Sequence, residues 1–188
     1  MTWDRIVGAF TFRKEVYSEV EHDTSFTTTA WLIVAIVAFH NQVGSFASTD
    51  ILGWLIGAVV GTIFAVIGFA VAAAIISWVG KSVFHAEVSF DEMVRTLGLA
   101  YVWNVVGVLG IIGLVPALAC IIAPVVFIAW ILGLVAWFIA AKEALDLEWL
   151  QTIVTVLLGW VALIIITALA GIILGIFGLG AAAIGGLF

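Results

Sequence analysis

Four stretches of this chain, residues 24–49, 51–80, 96–141 and 149–188, contain no aspartate, glutamate, lysine or arginine. Each exceeds the roughly 20 residues that cross a hydrocarbon core about 30 Å thick. An ordinary soluble domain is about half apolar and a quarter charged. This chain is 65% hydrophobic and 10% charged, with a mean hydropathy of +1.35, so it cannot cover its surface with polar groups. Closed barrels alternate apolar and polar residues, and runs such as VVGVLGIIGLV do not. Helices remain, because lipid offers a backbone N–H or C=O no partner.

The sequence therefore predicts an all-α integral membrane protein, a bundle of five transmembrane helices at about 26–43, 51–79, 97–114, 117–140 and 150–177. An amphipathic, acidic N-terminal segment (1–25) precedes them, and an apolar Gly/Ala-rich tail (178–188) follows. Asp50 and Asp146 are expected to cap the second and fifth helices. Ser89 and Glu92 have the spacing of a capping box that starts the third helix outside the membrane. Pro116 suits the first turn of the fourth helix, and Pro124 should kink it.

Arg5, Arg13 and Lys14 precede the first helix, Lys81 and Arg95 lie between the second and third, and Lys142 lies between the fourth and fifth. All six basic residues fall on one side, which the positive-inside rule makes cytoplasmic. The N-terminus is expected in the cytosol, the C-terminus on the opposite side, and the membrane to be a prokaryotic plasma membrane. The first 25 residues lack a signal peptide's early apolar core, so they are expected to be kept, with the first membrane helix acting as the targeting signal. Every acid except Asp50 shares the basic side, which makes that face net acidic.

Within the N-terminal segment Trp3, Ile6, Val7 and Phe10 share one helical face, and Phe12, Val16 and Val20 follow at spacings of four. Such a face suits the headgroup boundary; packing on the protein's own loops gives the same pattern. The acids Glu15, Glu19, Glu21 and Asp23 form the candidate docking strip for a cytosolic or membrane protein partner; a solvated face is the plainer reading. Gly53, Gly57 and Gly61, and again Gly171 and Gly175, recur every four residues, the spacing that lets helices approach closely within one chain or across a homo-oligomer. Trp31, Trp78, Trp149 and Trp160 suit interfacial belts.

Catalytic chemistry has no visible footing. The five spans carry no Asp, Glu, Lys or Arg, there is no HExxH or GxSxG, and His22, His40 and His85 are scattered. Ion-coupled transporters usually need intramembrane ionisable groups. No enzyme activity, metal, cofactor or nucleic-acid partner is expected, and the partner certain from composition is the lipid bilayer. Cys120, the single cysteine, reads as an inert small side chain within an apolar run. Asn104 is the most polar residue deep in a span, suited to a bond across helices or to lining a cavity.

Three stretches resemble a known family: VYSEVEHDTSFTTTAWLIV, an acidic segment running into the first helix; FDEMVRTLGLA, leading into the third; and IAWILGLVAWFIAAKEALDL, ending the fourth. In these the chain resembles the Yip domain family, the Ypt/Rab-interacting five-span membrane proteins, in its prokaryotic branch, over roughly residues 10–170. Trp103 and Asn104 stand where related chains commonly carry a proline, and the long polar N-terminal region of the eukaryotic branch has no counterpart. The resemblance implies a non-enzymatic membrane scaffold or adaptor. A small channel or passive transporter for a neutral solute, centred on Asn104 and Pro124, and an accessory subunit of a larger membrane complex are the alternatives.

Overall fold

The computed structural model describes residues 2–48 and 50–176. The expected tail at 178–188 lies outside them. In chain order the elements are α1 (Thr2–Phe10), α2 (Lys14–His22), α3 (Phe26–Ser45), α4 (Ile51–Phe84), α5 (Phe90–Ala100), a 3-10 helix (Tyr101–Leu114), α6 (Pro116–Leu145) and α7 (Trp149–Ile176). No strand occurs among the described residues. Five helical segments are long and apolar enough to cross a membrane, Phe26–Ser45, Ile51–Phe84, Phe90–Leu114, Pro116–Leu145 and Trp149–Ile166. The protein is an all-α, multi-pass membrane protein.

The apolar runs set where the spans lie, and local polar chemistry sets several of their ends. The Ser89 hydroxyl accepts from the Glu92 N–H at 3.1 Å, and the Glu92 carboxylate accepts from the Ser89 N–H at 2.6 Å. This reciprocal box satisfies two donors that a helix start leaves free. Two expected caps differ. Asp50 stands at the α4 N-cap without a side-chain cap hydrogen bond. Its carboxylate instead lies against Gly53. Asp146 does not start α7; it ends α6 in the left-handed conformation, with φ of 47°. α6 begins at Pro116 and stays helical through Pro124, which lies on its exposed side.

The third span departs most from expectation. Its helix starts at Phe90, as the capping box requires, but it is not an α-helix throughout: after Ala100 it tightens into a 3-10 helix for its remaining 14 residues. At about 2.0 Å per residue such a segment extends roughly 28 Å, against about 21 Å for an α-helix of that length. Tyr101–Leu114 alone therefore nearly crosses a hydrocarbon core. The sequence carries a matching period: Asn104, Gly107, Gly110 and Gly113 recur every three residues. With 3.6 residues per turn this set would wander around the axis, but with 3.0 it forms a straight stripe.

That stripe meets α3. A Cβ added at Gly44 would run into the Gly107 carbonyl, and one added at Gly110 into the Gly44 carbonyl. Asn41 sits one turn earlier on α3, and its side-chain amide donates to the Asn104 carbonyl at 2.9 Å. The cross-helix bond expected of the Asn104 side chain is thus made by the Asn104 backbone, with Asn41 as donor. Backbones this close leave no room for side chains, the arrangement by which membrane helices gain dispersion contact in the absence of a hydrophobic drive.

Elsewhere the glycines have other neighbours. Gly57 and Gly61 face the ring of Phe46, which follows α3, with the Gln42 side chain also against Gly61. The Trp54 indole donates to the Val43 carbonyl at 2.7 Å and closes the same α3–α4 elbow. Gly171 is buried, and Gly175 has open space around it. Two expected belt residues pack inward: Trp31 meets Phe69 edge-on at 5.6 Å, and Trp160 meets Trp137 at 6.4 Å. α5 occupies the centre, with every residue from Met93 to Val102 buried.

Gly44→Ala is expected to destabilise the protein by about 1–3 kcal/mol, the range for overpacking a filled contact. Gly113→Ala, where nothing lies within 4 Å, should be neutral to within about 0.5 kcal/mol. Thermal unfolding of both variants in detergent checks the contrast.

Candidate interaction surface

The charged end of the bundle is built by α1 and α2 folding back onto the third span. Their apolar residues find partners within the protein. Ala9, Val16, Tyr17 and Val20 are buried. Phe10 meets the Trp103 ring edge-on at 5.0 Å, and Phe12 stacks on it at 5.3 Å. The Trp103 indole donates to the Ala9 carbonyl at 3.3 Å. Of the two surfaces the amphipathic pattern allowed, most of this face covers the protein's own third span. Trp3, 73% exposed, and Val7 remain as an outward apolar edge.

Two arginines hold this cap. Arg5 of α1 binds the Asp23 carboxylate at 2.8 Å and approaches Glu19 at 3.6 Å, while its guanidinium lies 5.2 Å from the Phe26 ring centre. Asp23 also accepts from the Ser25 hydroxyl at 2.5 Å and the Ser25 N–H at 3.1 Å. The Ser25 bonds and then Arg5 hold the Asp23 carboxyl below its ordinary range. Charged acceptors bonded in this way favour the ionised form.

Arg95 is the second clamp, and it is only 4% exposed. Its Nε donates to the carbonyls of Val20 at 2.8 Å and Glu21 at 3.0 Å; Nη2 also reaches the Glu21 carbonyl, and Nη1 donates to the Thr27 hydroxyl at 3.1 Å. These carbonyls belong to the last turn of α2; that of Val20 also receives the Asp23 N–H at 3.3 Å, whereas that of Glu21 lies past the last N–H the helix can offer. They also carry the negative end of the helix dipole, which favours a cation there. Arg95 thus satisfies the end of α2, joins it to the start of α3, and anchors both to α5. Arg95 was expected among the charges between the second and third spans, on the capped helix start that runs inward past it, and without a partner. Its one visible signal was position: a lone arginine between the capping box and the apolar run TLGLA.

The acidic strip is consequently divided. Glu15 and Glu19 lie exposed on the outer side of α2. Asp23 is committed to Arg5 and Ser25. Glu21 turns toward α5 and α6: burial pushes its carboxyl up, His22 opposes this, and Glu92, Glu143 and Asp146 add to it. Acids from α2, α5 and the end of α6 therefore lie at one end of the bundle. Among the described residues no three of His, Cys, Asp and Glu converge as metal ligands. His22 and His40 each bond a carbonyl four residues back on their own helix.

The two acids should respond oppositely to pH. Asp23 has a lowered folded value, so its stabilisation is complete above the unfolded aspartate value of about 3.9 and is lost as pH falls through the folded one. Glu21 has a raised value, so its cost is complete above that value and absent below the unfolded glutamate value of about 4.3. Hydrogen exchange of the α1–α2 amides should accelerate in Asp23→Asn and slow in Glu21→Gln at neutral pH. Both differences should vanish in acid, that of Glu21→Gln at the higher pH.

No curated protein and no solved structure matches the chain. Residues 7–172 match the family model of the Yip1 domain. This segment takes in all but the first helical turn of the cap, the whole Arg95 clamp and most of α7. On that match over the greater part of its 188 residues, the chain belongs to the Yip1 domain family.

Proposed function

We propose that this protein is a non-enzymatic membrane scaffold or adaptor, with its N-terminus in the cytosol, that docks a basic protein partner on the acidic outer side of α2. The observation that carries this reading is the fixed cap. Arg5 and Arg95 hold α2 against the third span, so Glu15 and Glu19 project from an ordered helix rather than from a loose tail. Presenting charges on an ordered element lowers the entropy lost when a partner binds. Exposed Glu87, Asp91 and Glu148 extend the negative field at the same end, and such a field selects positive partners and speeds their encounter. The basic residues support the orientation, because the positive-inside rule places them all on the cytosolic side.

Two alternatives lose ground on particular contacts. A pore centred on Asn104 and Pro124 would need both to line one wet cavity, but Pro124 lies on the exposed side of α6 and the Asn104 backbone carbonyl is taken by Asn41 at a glycine contact. Self-association through Gly57 and Gly61 would need their face free, and Phe46 of the same chain covers it.

The test is a gentle-detergent pull-down comparing wild type with Glu15→Gln/Glu19→Gln, which keeps the Arg5–Asp23 pair. A partner held by the wild type and released from the double variant, with binding weakened by salt, is the expected result. A partner held equally by both would contradict docking on this face.

A further inference from the structure

The elbow between α6 and α7 forms an open recess of about 550 Å³ lined by Lys142, Asp146, Leu147, Glu148, Trp149 and Leu150. Its size falls within the roughly 300–1,000 Å³ of small-molecule sites. Three features meet there. The first is Lys142, a cation that makes no ion pair among the described residues. The second is the pair of exposed carboxylates, Asp146 and Glu148. The third is the start of α7, whose first-turn N–H groups have no carbonyl within the helix to receive them. They add a partial positive charge to that of Lys142.

The recess opens onto a surface suited to acyl chains. Trp149 is 55% and Leu150 73% exposed, and Ile153, Val154, Leu157, Leu158 and Val161 continue as outward apolar residues along α7. An exposed tryptophan where such a stripe begins marks the boundary between headgroups and hydrocarbon. One ligand class supplies both signs of charge above a pair of apolar tails. We propose that this elbow binds the headgroup of a zwitterionic aminophospholipid, with its phosphate on Lys142 and the first turn of α7 and its ammonium on Asp146 and Glu148. An anionic headgroup would bring its phosphate without an ammonium to answer these carboxylates. A choline headgroup carries the positive charge but has no N–H to donate.

Native mass spectrometry of the full chain in mild detergent tests this, using phosphatidylethanolamine, phosphatidylcholine and phosphatidylglycerol with the same acyl chains. The wild type is expected to retain phosphatidylethanolamine about tenfold better than either other lipid, a difference of about 1.4 kcal/mol. Lys142→Gln, which removes the partner of the phosphate that all three lipids share, should lower retention of all of them, whereas Asp146→Asn with Glu148→Gln should abolish the preference. Asparagine is accommodated in the left-handed conformation of position 146, so the second variant keeps the end of α6. Glu87→Gln, on the α4–α5 connection outside the recess, should leave it unchanged. Preference for phosphatidylglycerol would overturn the proposal. So would equal retention of all three lipids, a preference that survives the Asp146→Asn/Glu148→Gln variant, or undiminished retention in Lys142→Gln.

Discussion

The fold turns on a buried guanidinium that bonds backbone carbonyls. Taking a cation out of water costs several kcal/mol unless its donors find acceptors, and Arg95 finds them at Val20, Glu21 and Thr27. The Glu21 carbonyl at the end of α2 has no N–H of its own helix to receive, so it and the guanidinium satisfy each other. A salt bridge to a carboxylate would have neutralised one charge with another and left the end of α2 open. This arrangement fixes a whole helix instead, and every charge on α2 is positioned by it. Glu15 and Glu19 face outward because Val16, Tyr17 and Val20 face the core and Arg95 pins the end of the helix.

The third span receives that clamp at one end and changes geometry below it. Its first part is wrapped by α1, α2, α3, α4 and α6, and its second part is the narrow 3-10 helix between α3 and α6. The longer rise per residue lets 14 residues extend nearly as far as a conventional span of 20. The narrower helix, stripped of side chains along the Gly107–Gly110 line, lets α3 approach until Asn41 reaches a backbone carbonyl. Trp103 sits where the two parts join, with α1 on one side and Gly133 of α6 against its Cβ.

Much of this was legible in the residues. The charge-free stretches gave the five spans because no other structure satisfies a backbone in lipid, and Ser89–Glu92 started α5 as its spacing required. What escaped depends on contacts distant in sequence. Arg95 meets residues about 75 positions away, and nothing local names its partners. The period of three at Asn104, Gly107, Gly110 and Gly113 was present in the sequence, but an expectation of α-helix in every span concealed it. Phe46 covers Gly57 and Gly61 because the α3–α4 turn folds back, which glycine spacing alone does not specify. Asp146 was read as the start of one helix when it ends another, since aspartate tolerates both the N-cap and the left-handed conformation.

The most direct measurement of the central claim is the distance between α2 and α5 by pulsed electron paramagnetic resonance. Spin labels would be placed at Glu15→Cys and Asp91→Cys in a Cys120→Ala background, which removes the single native cysteine. With Arg95 intact a single narrow distribution is expected. Arg95→Gln should broaden it and shift it to longer distances while circular dichroism still reports the helices of the spans. An unchanged narrow distribution in Arg95→Gln would mean that apolar packing alone seats the cap, and the clamp would lose its place in this account.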